Sequence, residues 1–249
     1  MRYFIEIAYK GTNFHGWQIQ PNAISIQEKL QDALKILFGH PVEIIGAGRT
    51  DTGVHASQFF AHFDCHSIID TQDTAYRINA LLPKTIVVRE IFKVDKNAHA
   101  RFDALSRSYK YCISLTNDPF TLDTSWQITN KQFDVVEMNK AAKILLNHTN
   151  FKAFSKSKTD VKTYDCTIIE AFWVKNDNKL IFYITANRFL RNMVRAIVGT
   201  LLDVGVGKLT VEDFEKIIIS KNRSNAGLSV PARGLFLTKV RYPKNYFEQ

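Results

Sequence analysis

Ser25-Ile26-Gln27-Glu28-Lys29-Leu30-Gln31-Asp32-Ala33-Leu34-Lys35-Ile36-Leu37-Phe38-Gly39 is the stretch on which the reading of the fold turns. A serine followed three residues later by Glu28 is the capping-box pattern that opens a helix. Ile26, Leu30, Leu34 and Leu37 recur at three- and four-residue intervals as one apolar stripe, and Gly39 stops it. On both sides the chain changes to the two-residue period of a strand. Residues 2–9 alternate, and further strands are expected near 42–47 and 57–64. A second helix is expected from about Asp73 to Leu82, broken by Pro83, and a β-branched run at 85–92 closes the unit. The order is βαββαβ. From Ser106 the plan recurs: a strand through Tyr111, a helix carrying Val135, Met138, Ala142 and Leu145, strands near 164–174 and 180–187, a helix, then a strand at 235–242. Such a repeat implies an α+β fold of two ferredoxin-like βαββαβ halves, residues 1–104 and 105–249. No linker rich in Pro, Gly or Ser separates them. They are therefore expected to share one mostly antiparallel sheet, with the active cleft between them.

The 249 residues, 45% hydrophobic and 23% charged, describe a globular chain with enough apolar material for one large core or two small ones. No apolar run approaches membrane-spanning length. Met1-Arg2-Tyr3-Phe4-Ile5-Glu6 enters strand alternation with no apolar h-region or small-residue cleavage site, so no export signal and a cytoplasmic location are expected. Cys65, Cys112 and Cys166 are odd in number and lack C-x-x-C spacing, which argues against a disulfide framework or a zinc site. His62 and His66 flank Cys65, yet positions 62, 64 and 66 read as one face of a strand, and no metal is expected. Lys and Arg number 33 against 24 acids, a net charge of +9, which favours a polyanionic partner. Without an amphipathic Lys/Arg-rich terminal helix, nucleic acid is preferred over a membrane surface.

Chemistry concentrates in Gly48-Arg49-Thr50-Asp51-Thr52-Gly53-Val54-His55. One carboxylate lies among glycines just after the strand of Val42, Ile44 and Ile45, where a ligand backbone can approach closely. Arg49 beside it favours the charged, attacking form of Asp51. The competing reading is structural: Asp-Thr-Gly is good turn chemistry, and Arg49 can brace the turn as an ion pair.

Read with the rest of the chain, this motif resembles the signature of the tRNA pseudouridine synthase A family. The resemblance continues in order through Gly11 with Gly16-Trp17-Gln18, Gln27-Glu28-Lys29-Leu30, His99-Ala100-Arg101-Phe102, Tyr109, Met193-Val194-Arg195 with Ile197-Val198-Gly199, and Pro231-Ala232 with Gly234-Leu235. It spans nearly the whole chain. Lys10, where the family often has an acid, and the basic Arg188 and Arg191 depart from it. The resemblance implies isomerisation of uridine to pseudouridine at positions 38, 39 and 40 of the tRNA anticodon stem-loop, without a cofactor and usually as a homodimer. It makes Asp51 the catalytic nucleophile, with Arg49, Tyr109 and Arg195 as its companions.

Tyr109 and Tyr111, two apart on a strand, share a face. Cross-strand packing accounts for either, and the resemblance selects Tyr109 as the ring that stacks on uracil. Arg188, Arg191 and Arg195 stand at helical spacings of three and four and are expected as one basic stripe. Within it the resemblance assigns Arg195 to the aspartate, leaving Arg188 and Arg191 for phosphates. Lys10, Phe14 and Trp17 belong to a loop with two glycines, expected to be mobile and able to slip beside an extruded base. Lys156, Lys158 and Lys162 form a second basic loop suited to phosphate tracking. Arg101 and Phe102 lie between the halves, and the resemblance implies that they line the cleft. Two other classes use some of these features. A dimeric aspartic protease shares Asp-Thr-Gly but needs paired carboxylates, for which Arg49 and the basic surface are unsuited. A non-catalytic tandem RNA-binding module explains the repeat and the charge but lacks the aromatic RNP1 run.

Overall fold

The computed structural model describes residues 1–157, 161–244 and 246–247. Its architecture is α+β, with antiparallel-dominated sheets and five α-helices among the described residues. The chain divides into two compact units, one comprising residues 1–105 with 236–249 and the other residues 106–235.

In the first unit β1 (Arg2–Tyr9) leads to α1 (Ile26–Phe38), β2 (Ile44–Gly46), β3 (His55–Asp64), α2 (Thr71–Leu81) and β4 (Ile86–Val94), the expected βαββαβ order. The strands align β4-β1-β3-β2, every neighbouring pair antiparallel, which is the ferredoxin-like arrangement. Helix α1 begins as its sequence demands. The Ser25 hydroxyl accepts from the Glu28 amide, the Glu28 carboxylate accepts from the Ser25 amide, and Gly39 ends the helix at φ 75°. Such a cap is worth about 1 kcal/mol. Helix α2 starts two residues earlier than its apolar pattern, because Asp70 accepts from the Gln72 and Asp73 amides.

Tyr3, Ile5, Ile7 and Phe59 are among the buried core of this unit. Phe4 and Phe60 of the alternating positions lie beneath a C-terminal aromatic segment. Phe247 stacks on Phe60 with centroids 5.3 Å apart, and the Tyr242 hydroxyl donates to the Ala100 carbonyl at 2.6 Å. Beside them His62 is 3% exposed, and its Nδ1 accepts from the Ala100 amide. Position 64 does not share that environment: Asp64 is exposed and pairs with Arg2, the two parallel hydrogen bonds measuring 2.9 and 2.8 Å.

In the second unit β5 (Ser106–Ser114) is followed by β6 (Trp126–Gln127), α3 (Val135–Ile144), β7 (Ile168–Asn176), β8 (Lys179–Ala186), α4 (Met193–Gly205) and α5 (Val211–Ser220). Its antiparallel strands align β5-β8-β7, and β6 adds a short parallel pair to β5. Helix α4 is almost wholly buried. Helix α5 goes beyond the sequence reading, although Thr210 and Asp213 form a capping box before Phe214, Ile217 and Ile218. The repeat's closing strand, β9 (Leu235–Arg241), groups from Phe236 onward with the first unit, where Phe236 and Leu237 pair in parallel with His55 and Ala56 of β3.

Burial, and then the nearby Arg2 and His99, lower the His62 pKa from the ordinary imidazole value of 6.5 to about 4. An unfolded chain takes up a proton near pH 6.5 that the folded chain refuses until about pH 4. The stability His62 contributes is therefore complete above pH 6.5 and lost as the pH falls to 4. Urea titrations at pH 7.5 and 4.5 should show a smaller pH-dependent loss for His62→Gln than for the parent chain.

Candidate active site

Asp51 sits in a turn rather than a free loop. The Val54 amide donates to the Asp51 carbonyl at 3.1 Å, and Gly53 takes φ 78°. That left-handed position favours glycine. Two further contacts carry the turn. Gly16 (φ 83°) lies so close to Thr50 that a Cβ there would come 2.2 Å from the Thr50 carbonyl oxygen, and a Cβ on Gly11 would come 1.9 Å from that of Val54. Only glycines permit these approaches, so residues 10–18 lie directly against residues 50–54. Hydrogen bonds complete the seam. The Gly53 amide donates to the Phe14 carbonyl at 3.1 Å, and the Trp17 amide to that of Thr50 at 3.4 Å. The Tyr9 and Thr50 hydroxyls are 3.0 Å apart, and the Gly11 amide donates to His55 Nδ1 at 3.0 Å.

This arrangement corrects two expectations. The 10–18 segment is pinned along its length rather than loose. Phe14 and Trp17 are 6% and 2% exposed, so they anchor the segment in the core and present no ring to an incoming base. Trp17 stacks on Phe59 at 4.3 Å, in a space that a side chain at Gly46 would fill. Arg49 is exposed. Asp51 itself is half-buried, and Lys10 is exposed at the start of the segment.

Elsewhere in the first unit the turn at 99–103 is held by its own side chains. His99 Nδ1 accepts from the Arg101 and Phe102 amides at 3.1 and 3.3 Å, and the Asp103 carboxylate accepts from the His99 amide and the Tyr246 hydroxyl. Its apex presents Phe102, 73% exposed, with the Arg101 guanidinium 5.7 Å from the ring centre.

In the second unit Tyr109 is half-buried on β5, opposite Ile184, with Phe189 edge-on to its ring at 5.1 Å. Tyr111 is fully buried, donates its hydroxyl to the Pro231 carbonyl at 2.8 Å, and has its pKa pushed up by burial. The two tyrosines are thereby distinguished: Tyr111 is structural, while Tyr109 keeps an accessible part. The basic stripe is also revised. Only Arg195 lies on α4; Arg188 and Arg191 precede it, because Asn192 at φ 67° turns the chain just before Met193. The half-buried Arg195 is held by loop 226–231, its Nε donating to the Val230 carbonyl at 2.7 Å while its own carbonyl accepts from the Val230 amide. Phe189 and Val230 are support residues that the sequence reading did not single out. Lys158 lies outside the described residues; Lys156 and Lys162 flank it on the exposed surface.

Among the described residues no three His, Cys, Asp or Glu side chains group so as to hold a metal ion, and no helix is long and apolar enough to cross a membrane. The first unit thus presents a carboxylate on a backbone-braced turn; the second, taken by itself, presents a half-buried tyrosine and a braced guanidinium.

A family profile described as tRNA pseudouridine synthase matches residues 141–243. Curated relatives match almost the entire chain. A protein of Bacteroides fragilis called tRNA pseudouridine synthase A is 52% identical, covering 99% of this chain and 98% of its own. One of the same description from Bacteroides thetaiotaomicron is 50% identical over 100% and 93%. Another from Thermoanaerobacter pseudethanolicus is 42% identical over 96% and 98%.

The seam between residues 16 and 50 is open to a direct test. Gly16→Ala must meet the Thr50 carbonyl from a left-handed backbone. It should destabilise the chain by more than about 1 kcal/mol, the cost of the backbone conformation alone, as read from a lowered urea midpoint.

Proposed function

The chain belongs to the tRNA pseudouridine synthase A family, and from that premise we propose that it isomerises uridine at positions 38, 39 and 40 of the tRNA anticodon stem-loop, with Asp51 as the catalytic carboxylate. The enzyme is an isomerase that forms pseudouridine in tRNA. The observation that carries the residue assignment is the seam itself: Asp51 stands half-exposed on a turn whose backbone is fixed from both sides.

The bond from ribose C1′ to uracil N1 breaks, the base turns, C5 joins C1′, and the proton on C5 is replaced by one on N1. Atoms and charge balance without a cofactor. The uridine must first leave its stack. Asp51 acts on the nucleotide by attack at ribose C1′, attack at uracil C6 or removal of the C2′ proton. Tyr109 supports the base and assists loss of the C5 proton, a role that its half-buried, edge-braced ring suits. Arg195 steadies the carboxylate and the adjoining phosphate. Arg49, Lys10, Arg101, Phe102, Arg188, Arg191 and Lys158 serve RNA docking; the exposure of Arg49, Lys10, Arg101, Phe102 and Arg191 supports this. The enzyme works as a homodimer in the cytoplasm, a compartment suited to its three free cysteines.

Asp51→Asn keeps the shape and removes the charge. It should abolish pseudouridine formation in a tRNA carrying uridine at these positions, measured by mass-tagging, while tRNA affinity changes less than about threefold. Turnover near the parent rate would overturn the assignment. Tyr109→Phe keeps the ring, so binding should persist while isomerisation slows.

Phosphate docking predicts a linear fall of log affinity with log salt, by about 0.7 to 0.9 per phosphate neutralised. Arg188→Ala should make that slope shallower and weaken all substrates alike. Arg195→Ala should instead lose far more rate than affinity. A purely proportional loss of affinity, with saturated turnover intact, would place Arg195 among the docking residues.

A further inference from the structure

His55 is buried, 1% exposed, at the first position of β3, four residues after Asp51. Its Nδ1 accepts a hydrogen bond from the Gly11 amide at 3.0 Å. An imidazole nitrogen that accepts carries no proton, so the ring is neutral with its hydrogen on Nε2. One face of the ring stacks on Phe236 at 4.5 Å and 26°. The residue thus touches the segment that braces the Asp51 turn, belongs to the strand that continues that turn, and packs on the strand paired beside it.

The Gly11 amide has few alternatives. A Cβ at Gly11 would fall 1.9 Å from the Val54 carbonyl oxygen, so the backbone around that amide is pressed against the end of the turn. A buried amide left without an acceptor costs about 1–3 kcal/mol. If His55 Nδ1 withdrew, the 10–18 segment would have to shift to recover a partner. The Phe14 and Trp17 contacts with Gly53 and Thr50 would shift with it.

We propose that His55 is a positioning residue for the isomerisation: its Nδ1, by holding the Gly11 amide, sets the register of residues 10–18 on the Asp51 turn and so the placement of the carboxylate. It rests on the reading of Asp51 as the catalytic group, and it assigns His55 no contact with the nucleotide. A displacement of about 1 Å at a reacting group can lower turnover about a hundredfold. The effect of losing the acceptor should therefore appear in kcat.

Three replacements separate the hydrogen bond from the packing. His55→Asn places Oδ1 at the same distance along the side chain as Nδ1 and can accept from Gly11. His55→Gln carries the same amide with its acceptor one bond farther out. His55→Leu fills similar space and accepts nothing. All three lose the stacking on Phe236 and should lower Tm, His55→Asn least because it keeps an acceptor for the Gly11 amide. At saturating tRNA, His55→Leu and His55→Gln should lose about 10- to 100-fold in kcat with KM within about threefold, while His55→Asn recovers most of the rate. Exchange of the Gly11 amide with solvent, followed by NMR, should be slow in the parent and in His55→Asn, and fast in His55→Gln.

Equal kcat losses in His55→Asn and His55→Gln would reduce His55 to packing. Parent-like kcat in His55→Gln, or a change confined to KM, would also overturn the proposal. Should His55→Leu fail to fold, the asparagine and glutamine pair decides alone. None of these outcomes touches the Asp51 assignment, which stands or falls with Asp51→Asn.

Discussion

Backbone pressed against backbone, Gly16 on Thr50 and Gly11 on Val54, is the constraint on which the candidate site depends. A carboxylate on a connecting segment would ordinarily inherit that segment's mobility, since loops pack less and exchange more readily than the elements they join. Here two glycines remove the side chains that would keep the segments apart, and amides and carbonyls then meet across the gap. The buried Phe14 and Trp17 hold the far side of the bracing segment in the core. The aromatic residues that look like ligand contacts in the sequence serve the site by anchoring its support.

The second unit repeats the device with different parts. Arg195 is fixed through Nε and its carbonyl by Val230, and the loop bearing Val230 is itself seated on α4. A Cβ on Gly199 would lie 1.8 Å from the Leu228 carbonyl oxygen, the Gly227 amide donates to Thr200 Oγ1, and Arg223 donates to the Ala226 and Gly227 carbonyls. Exposed ion pairs contribute about 0–1 kcal/mol and tolerate several geometries. Hydrogen bonds to backbone contribute about as much, but they place a group within tenths of an ångström, which is what a reacting constellation needs.

Local signals in the chain were legible because their physics is local. Ser25, Glu28 and Gly39 delimit α1 through groups within four residues of each other, and the alternation in β1 and β5 follows from one strand having two faces. Errors arose where the deciding partner is remote. Nothing near Trp17 announces Phe59 and Gly46, which make the slot it fills. The spacing 188-191-195 fits a helix numerically, but Asn192 at φ 67° puts the first two arginines before it. Helix α5 is a different omission, since the pattern from Thr210 to Ile218 carried both cap and stripe.

The seam also bears on which partner moves when a uridine is engaged. Peeling residues 10–18 from the turn breaks the bonds from Gly53 to Phe14, Trp17 to Thr50 and Gly11 to His55. At a net 0.5–1.5 kcal/mol apiece these oppose opening by roughly 1.5–4.5 kcal/mol, which keeps the detached form about 10-fold to 2,000-fold rarer than the seated one. Extruding a base from a stacked stem-loop costs a few kcal/mol, which contacts in the pocket can offset. A detached loop would add its own cost and would also surrender the fixed geometry of the Asp51 turn. The economical path keeps the protein turn seated while the nucleotide rotates out to meet it, so recognition by this enzyme rests on how readily a uridine leaves its stack as much as on the surface that docks the RNA.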